Sequence, residues 1–265
     1  MGKLLKTRIM GILNVTPDSF SDGGLYRNVP EAVSQAEKMV EAGADIIDIG
    51  GESTRPGSES VSLQEEMDRV LPVLEILLAH DVEISIDTTK PELALEALKM
   101  GADIINDVSG LQYSTLIAEH VATYNAKLVI MHMKGVPKTM QVDPDSKDII
   151  SEVTDFFKDQ TKVAIGKGVK EENIILDPGI GFGKRLEDNT RILRDLEKLT
   201  NLGFPLLIGA SRKSMIGAIC DAEIEQRLPG SLVIACVAAQ RGADIVRVHD
   251  VAETVQALKI IEHIW

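Results

Sequence analysis

Short apolar runs along the chain end in residues whose types can do chemistry: Asn14, Asp48, Asp87, Asn106, Met131, Asp177, and then Arg247 with His249. One aspartate or asparagine in such a place is commonly a helix cap, and Pro178-Gly179 after Asp177 is an ordinary turn signal. Five of them on one rim are a different matter, because crowded like charges cost stability unless a ligand or partner offsets them. Carboxylates and amides fixed in an apolar mouth suit a flat heterocycle with adjacent N–H groups, since one carboxylate accepts two parallel hydrogen bonds from an amidine-like edge. Guanine and pterin both carry that edge, and the spacing does not separate them. Asp177 and Asp87 are the candidates to receive it, with Asn106 reading a neighbouring donor and acceptor.

A cationic group balances this set. Ser211-Arg212-Lys213-Ser214 and Arg247-Val248-His249 stand after two late apolar runs, where an anion such as phosphate is expected to bind with help from helix N-termini. The run Gly179-Ile180-Gly181-Phe182-Gly183-Lys184 has the look of a phosphate cradle, a weak signal by itself; Phe182 instead offers an apolar wall to a bound ring. His132, between Met131 and Met133, reads as a packed histidine. HExxH, CxxC and clustered-histidine motifs are absent, which argues against zinc. A magnesium ion held mainly by ligand phosphate oxygens, with Asn14 as its protein oxygen, leaves no stronger trace than this.

The elements that must position these residues are announced by a repeated phrase. Gly43-Ala44-Asp45-Ile46-Ile47-Asp48, Gly101-Ala102-Asp103-Ile104-Ile105-Asn106 and Gly242-Ala243-Asp244-Ile245-Val246-Arg247 each follow a helical pattern. Each reads as a glycine closing a helix, a turn and a buried strand. The sixth positions, an aspartate, an asparagine and an arginine, are therefore expected to converge on one rim. Eight runs fit buried parallel strands: Ile9–Asn14, Ile46–Gly50, Glu83–Asp87, Ile104–Val108, Lys127–Met131, Ile174–Asp177, Pro205–Gly209 and Ile245–Val248. Helical patterns separate them, with capping signals at Ser62 and Glu65 and at Asp250 and Glu253, and with Pro91 in a first turn. The expectation is an α/β fold, a single (β/α)8 TIM barrel with its active site at the C-terminal ends of the strands. An open doubly wound sheet is disfavoured by the even spacing and by the lack of a glycine fingerprint after the first strand.

At 265 residues the chain has the length of one such barrel, so residues 1–265 read as a single domain. A formal charge of −13 argues against nucleic-acid and anionic-membrane partners. No run reaches the length of a membrane span, and the basic, apolar start is too short and interrupted for a signal peptide. Cys220 and Cys236 read as reduced packing residues, which places the protein in the cytoplasm.

Gly11-Ile12-Leu13-Asn14-Val15-Thr16-Pro17-Asp18-Ser19-Phe20-Ser21-Asp22-Gly23-Gly24 and Asp48-Ile49-Gly50-Gly51-Glu52-Ser53-Thr54-Arg55-Pro56-Gly57 are long, specific segments. With Asp177-Pro178-Gly179, Ser211-Arg212-Lys213-Ser214 and Arg247-Val248-His249-Asp250, the chain closely resembles the dihydropteroate synthase family of folate biosynthesis. The resemblance implies a transferase that joins 6-hydroxymethyl-7,8-dihydropterin diphosphate to 4-aminobenzoate and releases diphosphate, with Mg2+, as a sulfonamide-sensitive homodimer. It further implies Asp87, Asn106, Asp177 and Lys213 as pterin contacts with Met131 packing nearby. Asn14, Arg247 and His249 would hold diphosphate and magnesium, and Thr54, Arg55, Pro56, Phe182 and Ser214 the aminobenzoate. Arg185 with Leu186, and Ser146, depart from the family's usual residues in loops. A pterin-dependent methyltransferase, a class I aldolase using Lys213, and an inactive pterin-binding paralogue are the competing readings.

Overall fold

A computed structural model describes residues 7–16, 28–53, 60–135 and 147–264. Strands and helices alternate as β1 (Arg8–Asn14), α1 (Asn28–Glu41), β2 (Ile46–Gly50), α2 (Leu63–Leu77), β3 (Glu83–Asp87), α3 (Pro91–Met100), β4 (Ile104–Asp107), α4 (Leu116–Tyr124) and β5 (Lys127–Met131). The order continues with α5 (Ile149–Gly166), β6 (Ile174–Asp177), α6 (Leu186–Arg194), α7 (Leu196–Thr200), β7 (Leu207–Ile208), α8 (Ser214–Cys220), α9 (Leu228–Gln240), β8 (Ile245–Val248) and α10 (Val251–Ile264). All strand pairs are parallel, in the order β6-β5-β4-β3-β2-β1-β8-β7, and a bridge between Leu176 and Leu206 joins the two ends. The expected (β/α)8 barrel is therefore present.

The repeated phrase does more than end helices. Gly43, Gly101 and Gly242 adopt φ of 102°, 118° and 88°, a left-handed region that a side chain opposes. The following alanine N–H then reaches back to the carbonyl five residues earlier (Ala44 to Met39, Ala102 to Ala97, Ala243 to Ala238), closing the last helical turn. The aspartate next in line docks the strand to its neighbour. Asp45, Asp103 and Asp244 accept the backbone N–H groups of Ile9, Ile84 and Leu206 at 2.8, 2.9 and 2.8 Å.

Two strands are shorter than expected, each for a visible reason. At β4 the Asp107 carboxylate accepts the N–H groups of Ser109 and Leu111 at 2.8 and 2.7 Å, which turns the chain before Val108. Near β7, Pro205 has no N–H and that of Leu206 goes to Asp244, so little remains to pair with β6 beyond Leu176 N–H to the Pro205 carbonyl at 2.9 Å. The helices close over the outside as their apolar spacing predicts. Pro91 opens α3, whose Leu93, Ala94, Ala97 and Leu98 are buried, and the Ser62 side chain accepts the Glu65 N–H at α2.

Because side chains alternate along a strand, the barrel interior is built in layers. Met10, Ile46, Ile104, Val129, Ile175, Leu207 and Ile245 form a compact apolar cluster of their own, separate from the larger one between sheet and helices. Two residues further along the same strands stand Ile12, Asp48, Asn106, Met131, Asp177, Gly209 and Arg247. The barrel thus changes from oil to polar groups within one layer, at the C-terminal end.

Replacing Asp45 by alanine removes the charged acceptor that docks β1 on β2. The expected cost is about 1–2 kcal/mol of unfolding free energy, read from urea melts, with no change in far-UV circular dichroism.

Candidate active site

Arg247 is the centre of the polar layer. Its Nε donates to Asp48 Oδ2 at 2.6 Å and an Nη to Asp87 Oδ2 at 2.8 Å, so one guanidinium lies between two carboxylates. Asn106 adds its Nδ2 to the same Asp48 oxygen at 3.1 Å. The three sixth positions of the repeated phrase therefore meet in one contact set. Asp48 is fully buried, and the sequence reading assigned it no role beyond its place on the rim. Its alignment with Asn106 and Arg247 in the repeat was the available signal.

Burial pushes the Asp87 carboxyl up to about 7, with Asp48, Glu66 and Asp107 adding in the same direction and Arg247 opposing. Asp177 is also raised by burial, against the pull of Lys213, the Gly179 N–H, Lys184 and Arg247. That N–H reaches Asp177 Oδ1 at 2.7 Å. Burial lowers the Lys213 ammonium to about 8, with Arg247 acting in the same direction and Asp177 and Asp87 opposing. Lys213 donates to the Ile180 carbonyl, and its Nζ lies 4.4 Å from the centre of the Phe182 ring. Met131 packs with Val108, Met133 and Phe182 into an apolar wall beside these charges.

Two glycines keep the layer open. A Cβ on Gly209 would sit 3.7 Å from Arg247 Cβ and 4.0 Å from Asp177 Oδ2. On Gly50 it would sit 3.7 Å from Asn14 Oδ1 and 3.8 Å from Asp87 Oδ2, so the gap beside the Asn14 carboxamide oxygen exists because this residue has no side chain. A hard oxygen donor facing a gap fits a divalent ion that takes its remaining ligands from phosphate. Among the described residues, no three His, Cys, Asp or Glu side chains are grouped to hold a metal.

Other expected residues fall differently. His249 joins the exit of β7, with Nδ1 3.0 Å from Ser211 Oγ and its backbone N–H on the same oxygen at 3.2 Å. Arg212 leaves the basic cluster: it adopts φ of 56° and grips Asp250 with two nitrogens, so Asp250 serves as an ion-pair partner at the start of α10. Ser214 opens α8 and is exposed. Thr54, Arg55, Pro56 and Ser146 lie outside the described residues. The departure at Arg185 is accommodated by its backbone N–H donating to Asp188 at 3.1 Å.

The glycine run is no phosphate cradle by its local geometry. Gly179 and Gly183 have positive φ, and a Cβ on them would stand 2.1 Å from the carbonyl oxygens of His132 and Lys134. They let the loop after β6 lie flush on the segment after β5. His132 is buried edge-on against Phe156, with its imidazole pushed to about 2 by burial and by Lys184 and Lys134, as a packed neutral histidine.

The chain matches the model of the pterin binding enzyme family over residues 10–249. The chain belongs to that family. Within it, this pterin binding enzyme stands with the dihydropteroate synthases, transferases of folate biosynthesis. It is 50% identical over 262 residues to the dihydropteroate synthase of Synechocystis sp., covering 98% of this chain and 91% of the relative. Two solved structures are similar over nearly their whole length. The Yersinia pestis dihydropteroate synthase in complex with a sulfonamide drug has a TM-score of 0.93 and 45% identity, covering 99% of this chain and 95% of that one. The Clostridium difficile dihydropteroate synthase in the presence of pteroic acid has a TM-score of 0.93 and 46% identity, covering 100% and 99%.

Asp48→Asn tests the centre of this pterin binding enzyme's polar layer. Removing a buried partner of Arg247 is expected to cost about 3–5 kcal/mol of stability, measured by chemical denaturation. The Lys99–Glu96 pair on the exposed face of α3 serves as the control, since breaking such a pair changes little.

Proposed function

We propose that this chain joins 6-hydroxymethyl-7,8-dihydropterin diphosphate to 4-aminobenzoate, and that its polar layer divides the work between a carboxylate side and a cationic side. The observation that carries this reading is the packing of Asp177 and Asp87 around Arg247 and Lys213 above an apolar barrel floor. Asp177 and Asp87 accept the ring and amino N–H groups of the pterin. Asn106, whose Nδ2 is held by Asp48, has its carbonyl oxygen left to accept a further donor. Lys213 donates to the ring, and Met131 and Phe182 hold its faces.

Arg247 and His249 receive the diphosphate, with Asn14 holding magnesium. Magnesium, when bound, neutralises charge on the departing oxygen. The bond between the pterin methylene carbon and the bridging diphosphate oxygen breaks, and its electron pair leaves with the diphosphate. Positive charge on the methylene is delocalised into the electron-rich dihydropterin and favoured by the two aspartates. The arylamine nitrogen then attacks the carbon and loses a proton, with no covalent enzyme intermediate. Thr54, Arg55 and Pro56 complete the aminobenzoate site together with Phe182 and Ser214, after the diphosphate is in place.

The single-domain organisation is supported by one barrel spanning the chain's described residues. A homodimer is supported by α9, where Val233 is 62% exposed although Ala235, Ala238 and Ala239 on the same helix are buried. No helix among the described residues is long and apolar enough to cross a membrane. The free thiols of Cys220 and Cys236 fit a reducing cytoplasm.

The purified chain supplied with both substrates should release diphosphate and form dihydropteroate, and Asp177→Ala and Arg247→Ala should each lower kcat/KM by about 100-fold or more. Full activity in both variants contradicts the assignment. Asp87 offers both oxygens as acceptors to the N–H edge only when ionised, and Lys213 gives a charge-assisted hydrogen bond only when protonated. A profile of kcat/KM against pH should therefore fall below about 7 and above about 8, set by those two groups. Chelation of divalent ions should abolish turnover, and magnesium should restore it.

A further inference from the structure

The glycine run after β6 ends in Lys184, a lysine only 3% exposed. Its Nζ donates to the carbonyls of Gly179, His132 and Phe182 at 2.9, 3.0 and 3.1 Å. Three acceptors match the three protons of an ammonium, which otherwise pays heavily for leaving water. An apolar side chain of similar length would fill this volume without that cost, so the use of an ammonium lies in what it fastens.

Each fastened carbonyl belongs to the walls of the pterin site. The segment at His132 docks on β6 through its N–H to the Asp177 carbonyl at 2.9 Å, and Gly179 gives its own N–H to the Asp177 carboxylate. Gly179 and Phe182 flank Ile180 and Gly181, which form the perch of Lys213. The Ile180 carbonyl takes the Lys213 ammonium, and a Cβ on Gly181 would stand 3.1 Å from Lys213 Cδ. On the outer side buried Asn189 accepts the Gly181 N–H at 2.7 Å and donates to the carbonyls of Lys184 and Arg185. The loop is thus held on both faces, and only the inner clamp carries charge.

We propose that Lys184 is a positioning residue of the pterin site: it fixes the loop that sets Lys213 and Phe182 opposite Asp177, and its ammonium is a counter-ion for the Asp177 carboxylate. The inference rests on the pterin-binding reading of the site. Burial brings Lys184 itself down to about 7, with Lys213 acting in the same direction and Asp177, Glu152 and Asp188 opposing.

The test is binding of 6-hydroxymethylpterin to the full chain between pH 5.5 and 9.5, followed by titration calorimetry, for wild type, Lys184→Met and Lys184→Arg. Lys184→Met should bind about tenfold more weakly, which is about 1.4 kcal/mol. The part of its acid limb set by Asp177 should move upward, because that carboxylate loses a positive neighbour. Lys184→Arg, which keeps the positive charge on the acid side of the profile, should leave that limb in place. Wild-type binding accompanied by an unchanged affinity and profile in Lys184→Met overturns this proposal alone. A wild-type chain that binds no pterin brings down the functional reading and this proposal with it. Whether or not the variants fold, wild-type protein carrying 15N-lysine should show a slowly exchanging Lys184 ammonium whose signal shifts on adding pterin; rapid exchange or an unmoved signal overturns it.

Discussion

A guanidinium held between two buried carboxylates governs the architecture of this barrel mouth. Asp48, Asp87 and Asp177 are brought within one polar layer, and ionised carboxylates stripped of water are tolerated only with counter-charge at close range. Arg247 supplies it to Asp48 and Asp87 by direct contact, while Lys213 and Lys184 supply it to Asp177 from the other side. Carboxylates kept poised in this way are acceptors without competing water, which is the state required to read the N–H edge of a heterocycle. The apolar layer of Met10, Ile46, Ile104 and their neighbours beneath keeps the dielectric low, so the stability cost of the charges and their binding strength have one origin.

Backbone economy delivers these groups to one place. The Gly-Ala-Asp phrase turns a helix into a strand, closes the helix end and docks the strand on its neighbour within three residues. Since the following residues are apolar in alternation with the barrel wall, the sixth position must face inward at the layer above the core. The three occurrences can therefore carry different chemistry on one mechanical design.

Much of this was legible in the residues. The strand ends at Gly50, Asp87, Met131, Asp177 and Val248 follow from apolar runs bounded by turn signals, and the meeting of Asp48, Asn106 and Arg247 follows from aligning the repeated phrase. Other features were hidden because they depend on contacts distant in sequence. Nothing local in Ser211-Arg212-Lys213-Ser214 says that Arg212 turns away to Asp250 while Lys213 turns inward, since that division is made by the left-handed backbone at Arg212. The glycines at 179 and 183 gave the pattern of an anion loop, yet they answer to carbonyls 47 and 49 positions earlier, at His132 and Lys134. Lys184 reads in the sequence only as the end of that run, because a lysine is ordinarily a solvated surface group and nothing local announces its burial.

The junction of β6 with β7 has a consequence for ligand response. Among the described residues every other neighbouring pair of strands shares a ladder, whereas here one bridge at Leu176 and Leu206 closes the ring. Asp177 lies on one bank of that seam and Arg247, behind Gly209, on the other. A molecule that grips both banks acts as a staple across the weakest hoop of the barrel, so occupancy of the mouth should be felt as resistance to unzipping along this seam.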